Sequence, residues 1–352
     1  ARHLVKRRHK ALVAHAVHPV PALEQPLRVH AIRRAGHERH EVLALLNGKA
    51  ARLVGLHLLD AIDLIGELVS PRRGMYAPAD LWSTLDARQR HLWVARTIGS
   101  QRPDRVFCHV TAALAYNLNV TLTGAFGTDI EVIHVVASNR EHGRLQNGIR
   151  CHNITDAATW RAEGIPVTSP ARTIFDCARS LSFPDALAIA DAALRSGLTN
   201  RDEFLGLIDK NAGAHGIAKA RMVLEHANAL AESGGESLLR ARLIELGYKT
   251  PELQVTFKTP LGDFFRVDLL ARREDGSAVA LEMDGRIKYE DPAMTRGRDH
   301  IGVLLDERQR EAALTACNRQ VMRVRYRDLV DDRRLAKLFE AYRLPKAHVR
   351  SR

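Results

Sequence analysis

The run from Phe264 to Lys288, FFRVDLLARREDGSAVALEMDGRIK, restricts what this chain can fold into more than any other stretch. Two stretches of β-favouring residues, Phe264 to Ala271 and Ala278 to Asp284, flank a polar turn with Asp275 and Gly276, the pattern of an antiparallel hairpin. Side chains alternate along a strand, so Val267 and Leu269 share one face while Arg266 and Asp268 share the other. On the second strand Val279, Leu281 and Met283 form an apolar row, and Glu282 and Asp284 point the opposite way. A turn centred near Glu274 and Asp275 sets Asp268 across from Leu281 or Glu282. Three carboxylates then converge on one sheet face, backed by an apolar one.

Carboxylates placed that close repel one another, and a divalent cation relieves the repulsion. Mg²⁺ takes one or two protein carboxylates and fills its other octahedral positions with water and phosphate oxygens. Such an ion, or Mn²⁺ in its place, stabilises charge on phosphate and acidifies bound water, which points to phosphodiester hydrolysis. The competing reading is a half-exposed hairpin whose outer face is acidic because it is wet. Upstream, Ser233 to Gly247 reads as a helix with Leu239, Leu243 and Leu246 on one stripe, ending at Gly247. Glu236 lies on the side of that stripe and either faces the sheet or closes an S-x-x-E capping box with Ser233.

The segment from Gly234 to Val330 resembles the Vsr-like endonuclease domains, relatives of very-short-patch mismatch repair nucleases within the PD-(D/E)XK superfamily. The resemblance rests on GES, Gln254, GDFFRVDLL, LEMDGRIKYEDP, RQREAAL and VMRVRYRDL in that order. It implies a mixed sheet flanked by helices, a Mg²⁺ or Mn²⁺ cofactor, and Glu236, Asp268 and Glu282 as the metal-site acids. The chain departs from the pattern at Asp284, which stands where these nucleases place a catalytic Lys. Lys288 stands where many close relatives have His and is the cation left to reach a scissile phosphate. Asn318 and Arg319 replace a Gly-Trp pair, and Asn tolerates the left-handed turn that Gly would supply.

The chain of 352 residues has room for several domains, and its formal charge of +12 favours a polyanionic partner such as DNA. Residues 1–75 hold thirteen Lys+Arg against six Asp+Glu, 13 − 6 = +7, more than half of that excess. Residues 1–36, rich in Arg, His and Ala, are expected to form a mobile basic tail. His40 to Leu46 and Leu53 to Ile65 read as short helices, followed by two extended runs around the basic turn of Arg72 and Arg73. Helices followed by a basic ribbon suggest a winged helix-turn-helix over 37–80, with Arg72 and Arg73 on phosphate. The run GELVSPRRGMYAPADLW resembles the end of the winged-helix domain of AbiEi-type antitoxins.

From 85 to 196 helices and strands alternate: Val110 to Leu118 as a helix, Ile130 to Ala137 and Gly148 to Ile154 as strands. A loop, GIPVTSPART, feeds the helix Ile174 to Ala178 and resembles a signature of the same AbiEi-like proteins. Ser169 is placed to cap that helix and Pro170 to begin it. Arg172 at its start reads as a structural salt bridge before a phosphate ligand. Residues 197–230 read as a helical connector and 231–345 as the nuclease-like domain. There Arg298 to Cys317 reads as a helix and Val321 to Tyr326 as a strand, with Arg310, Arg323 and Arg325 as candidates for backbone contacts on DNA. The expected fold class is therefore multidomain α/β: a winged helix, an α/β middle and a C-terminal restriction-endonuclease-like mixed sheet flanked by helices.

Four scattered cysteines without a C-x-x-C fit a reducing cytoplasm. Neither a phosphate-binding G-x-x-x-x-G-K-[ST] nor a G-x-G-x-x-G occurs. Low aromatic content, 5%, leaves few stacking platforms for RNA. Two functions follow: a Mg²⁺-dependent DNA endonuclease, or a non-catalytic antitoxin-like regulator with a cognate toxin as its second partner.

Overall fold

A computed structural model describes residues 68–121, 126–137, 143, 145–155, 158–258, 262, 264–284, 315, 317 and 319–347. The expected basic tail, the two helices before the wing, Lys288 and Arg310 lie outside the described residues, as does nearly all of the expected helix from Arg298 to Cys317. The rest is a mixed α/β molecule with several small sheets.

The ribbon expected around Arg72 and Arg73 is present as β1 (Leu68–Arg72) and β2 (Met75–Pro78), antiparallel strands turning through Gly74 at φ 77°. Helices α1 (Ala79–Thr84) and α2 (Ala87–Gln101) follow. A capping box starts α2: the Asp86 carboxylate accepts from the Gln89 N–H at 2.7 Å, and the Gln89 side chain accepts from the Asp86 N–H at 2.8 Å. Then come α3 (His109–Ala115), β3 (Ile133–Val136), β4 (Leu145–Gln146) and β5 (Ile149–His152). These three strands form one sheet in the order β3-β5-β4, with β3 and β5 parallel.

One departure from the sequence reading follows. Ile165 to Thr168, expected as loop, is strand β7 (Ile165–Thr168), paired with β6 (Thr159–Ala162). Glu163 and Gly164 both take left-handed conformations, φ 50° and 79°, which is the two-residue turn that reverses a twisted ribbon. The helix α4 (Pro170–Ser180) begins as expected, with Ser169 Oγ accepting from the Arg172 N–H at 3.3 Å and Pro170 in the first turn. The chain continues through α5 (Phe183–Arg195), α6 (Arg201–Lys210), α7 (Ile217–His226) and α8 (Gly234–Glu245). It ends in β8 (Glu252–Lys258), β9 (Phe264–Arg272), β10 (Ala278–Asp284), β11 (Arg319–Arg325), α9 (Tyr326–Leu329) and α10 (Asp332–Ala341).

Two compact units result. The first draws on the described residues up to Phe107, on Glu131–Asn153 and on Glu163–Pro166. Within it Val136 N–H bonds to the Val106 carbonyl at 2.8 Å. Glu163 clamps α2 by ion pairs to Arg88 at 2.9 Å and Arg96 at 2.5 Å. The second unit takes Cys108–Ile130, Ile154–Ala162 and everything from Val167 onward. The expected middle segment 85–196 therefore supplies elements to both units, while the connector and the C-terminal segment share one.

In the second unit, Phe175, Ile189, Phe204, Ile208 and Leu224 make a helical core from α4 to α7. The four-stranded sheet has the order β11-β10-β9-β8, with β10 and β11 parallel and the others antiparallel. Leu238, Leu239 and Leu243 of α8 bury against Leu269, Leu281, Met322 and Val324, each fully buried leucine being worth about 1.5–3 kcal/mol. Helix α8 also touches α5, and there an ion pair is enclosed: Arg240 Nη2 lies 2.5 Å from Asp191 Oδ2, at 2% and 0% side-chain exposure. The Asp191 Oδ1 accepts from the Asn228 N–H at 2.7 Å, and Arg240 Nη1 donates to the His226 carbonyl.

Removing one partner strands the other charge in a dry site, which typically costs about 3–5 kcal/mol. Asp191→Ala is expected to lower the urea unfolding free energy by about that amount, read by circular dichroism. A loss below about 1 kcal/mol would show that water reaches the pair.

Candidate functional site

The hairpin turn forms as its residues dictate. Arg273 N–H bonds the Ser277 carbonyl at 2.9 Å around Glu274, Asp275 and Gly276, with Gly276 left-handed at φ 81°. Asp275 Oδ1 accepts from the Ser277 N–H at 2.9 Å and from its Oγ at 2.6 Å, bonds that hold the Asp275 carboxyl below its usual range. From this turn the β9–β10 ladder runs from Arg272↔Ala278 to Leu269↔Leu281. Beyond that rung β9 stays paired with β8, and β10 with β11, so the two strands fork. Asp268 and Glu282 are the first residues past the last rung.

Glu236 meets half of the capping-box reading. Ser233 Oγ accepts from the Glu236 N–H at 3.2 Å, as an N-cap should, while Glu236 Oε2 accepts from the N–H of Glu232, one residue earlier than a capping box requires, at 2.9 Å. The same oxygen accepts from Gln254 Nε2 at 3.2 Å. Gln254 stands on β8 at φ 52°, a backbone conformation that the sequence did not signal. Burial raises the Glu236 pKa; its hydrogen bonds to Glu232 and Ser233 lower it, and the neighbouring charges of Asp268 and Glu232 raise it again. Glu236 and Asp268 are thus electrostatic neighbours at the fork. Among the described residues, the oxygens of Glu236, Asp268 and Glu282 do not all lie within 4.8 Å of one another, so the three acids are not assembled as a ligand set. Asp284 continues β10 in register with Arg325, and Glu282 in register with Arg323. The Arg323 Nε is 3.9 Å from Glu282 Oε2, so the cation expected on phosphate stands beside a cluster acid.

In the first unit the two arginines of the β1–β2 ribbon divide. Arg72 Nη1 donates to the Asn147 carbonyl at 2.9 Å and Nη2 to the Glu131 carbonyl, while Arg73 is exposed at the tip. Arg172 is the structural residue the sequence favoured, with Nε 2.8 Å from Asp176 Oδ2 and 7% exposure. Cys108, Cys151 and Cys177 are buried, and burial pushes the Cys177 thiol up, with Asp176 and Asp185 adding to it.

A histidine pair that no motif or spacing announced joins the parallel strands β3 and β5. His134 Nδ1 and His152 Nε2 are 2.8 Å apart, with ring centroids 5.0 Å apart and planes 14° apart, so the rings meet end to end through one shared proton. Burial, then the charges of His152, His91 and Arg150, hold the His134 pKa down to about 3.

With this geometry in place, comparison with known proteins adds a family. Residues 102–226 match the AbiEi antitoxin C-terminal domain. Two uncharacterized proteins of Mycobacterium tuberculosis, from strains CDC 1551 / Oshkosh and ATCC 25618 / H37Rv, are each 39% identical to this chain over 163 residues. That stretch is 46% of this chain and 57% of each relative, so the chain spans little more than half the length of these relatives. No solved structure matches the chain. The family match begins after the β1–β2 ribbon and ends before α8, and the expected nuclease-like segment has no family match of its own.

The His134 pKa makes a pH prediction. Between pH 6.5, the ordinary histidine value, and about 3, the unfolded chain binds a proton that the folded chain refuses, so stability rises with pH in that window. The contribution is complete above pH 6.5 and is lost as the pH falls, at about 1.4 kcal/mol per pH unit. Urea midpoints measured from pH 7 to pH 4 are expected to show this slope, and His134→Gln to flatten it; an unchanged slope in the variant would place its source elsewhere.

Proposed function

We propose that this protein is an antitoxin-like DNA-binding regulator, which grips duplex DNA through its basic N-terminal region and carries an AbiEi-like domain able to engage a cognate toxin. The observation that supports it most is the match of residues 102–226 to the AbiEi antitoxin C-terminal domain, a stretch that includes the helical core from α4 to α7. Its motivation on the DNA side is the +12 charge and the exposed basic ribbon tip. The winged helix belongs to this reading: the described ribbon β1–β2 is its wing, and residues 37–67 would supply the recognition helix. A reducing cytoplasm is the compartment that goes with it, and no helix among the described residues is long and apolar enough to cross a membrane. Footprinting of the full chain on the DNA upstream of its own gene is expected to show a protected site, bound at least about a thousandfold more tightly than random duplex and insensitive to chelators. Equal affinity for both DNAs would overturn the regulator.

A second reading, the metal-dependent endonuclease, rests on the fork at Asp268 and Glu282 together with the electrostatic contact of Asp268 and Glu236. In that reading Asp268 and Glu282 hold the ion, Glu236 supports it through a water, and Lys288 offsets charge on phosphate in place of the Lys that Asp284 replaces. Mg²⁺ or Mn²⁺ would supply charge stabilisation and an acidified water. Supercoiled DNA incubated with the full chain and either ion is expected to be nicked, and Asp268→Ala to abolish the nicking. Nicking that survives the substitution, or none with either ion, would remove this reading.

A further inference from the structure

We propose that the β1–β2 ribbon and the β4–β5 turn form one rigid surface for the phosphate backbone of duplex DNA, with Arg73 and Arg150 meeting phosphate and Arg72 as the positioning residue that locks the two parts together. The proposal rests on the DNA-binding reading above and goes beyond it in reassigning Arg72, which the sequence casts as a phosphate contact.

A two-stranded ribbon is marginal by itself and its tip would sample many orientations. Here the tip is fastened twice. Ser70 Oγ donates to the carbonyls of Arg72 at 3.1 Å and Met75 at 3.2 Å, closing the turn from within. The Arg72 guanidinium then crosses to the three-stranded sheet, where its planar fork satisfies the carbonyls of Asn147 and Glu131 together. The approach is tight: a Cβ on Gly148 would lie 2.5 Å from Arg72 Nη1. Asn147 and Gly148 are both left-handed, φ 51° and 69°, and make the two-residue turn between β4 and β5. A guanidinium spent on two carbonyls has little left for phosphate, but it fixes its neighbours in place.

Those neighbours are cationic. Arg73 follows Arg72 directly and is exposed; Arg150 lies two residues past Gly148 and is exposed on β5. Among the described residues neither forms an ion pair with a carboxylate. Two exposed cations at the ends of a pre-ordered strut suit a rigid polyanion, because the ordering cost is met before binding.

The test is fluorescence anisotropy of the full chain with a random-sequence duplex of about 30 base pairs across a salt series. Arg73→Ala and Arg150→Ala are each expected to weaken binding roughly threefold and to reduce the salt slope by about one. Arg72→Ala is expected to weaken binding as well, but to add nothing in a background that carries both Arg73→Ala and Arg150→Ala, since it acts through those side chains. Gly148→Ala leaves the charge unchanged and is expected to imitate Arg72→Ala by displacing the guanidinium. An Arg72→Ala loss that adds fully to that of the double variant, with its own drop in slope, would make Arg72 a phosphate ligand and overturn the proposal. Unchanged binding in both Arg73→Ala and Arg150→Ala would overturn it too, and these exposed positions decide the matter even if Arg72→Ala unfolds. Absence of any duplex binding by the wild-type chain would instead remove the DNA-binding reading itself.

Discussion

The enclosed pair of Arg240 and Asp191 is the interaction on which the larger unit depends. It joins α8, which carries the leucines that cover the C-terminal sheet, to α5, which lies in the helical core. Two charges taken out of water are a poor source of net stability, since their attraction roughly offsets the desolvation cost. Their effect is to specify one arrangement: any other seating of α8 leaves a guanidinium or a carboxylate buried alone. The extra bonds from Asn228 and to the His226 carbonyl tie the segment between α7 and α8 to the same point. The helices α4 to α7 and the C-terminal sheet therefore belong to one compact unit.

That coupling bears on how the two functional readings relate. A C-terminal sheet attached by a free linker would serve as an independent catalytic module. Here Glu236 belongs to α8, the same helix that carries Arg240, so an acid that interacts electrostatically with Asp268 is set in place by the packing of α8 against α5. Asp268 and Glu282 follow the last rung of the β9–β10 ladder, and Arg323 stands beside Glu282. A cation beside an acid lessens the repulsion that a metal would otherwise relieve.

In the first unit the same economy of charge recurs. Glu163 is shared between Arg88 and Arg96, and Arg72 between two backbone carbonyls. Exposed cations stand at the ribbon tip and on β5, and the His134–His152 bond joins β3 to β5 without adding charge, because burial holds His134 neutral.

Local chemistry determined what the sequence alone could determine. Asp275 and Gly276 set the hairpin turn and hence its register, Ser169 and Pro170 start α4, Ser233 caps α8, and Arg172 finds Asp176 one turn away. Each partner lies within about five residues, where spacing fixes geometry. The sequence misread Ile165 to Thr168 as a loop, because a strand holding Pro is recognisable only through the turn that pairs it. Tertiary structure alone decided that Arg72 reaches Asn147 and Glu131, that Asp191 receives Arg240, that Gln254 turns to Glu236 and that His134 meets His152. Those partners are separated by 18 to 75 residues, and no periodicity or cap signal carries information over such distances; only the closing of the cores brings them together.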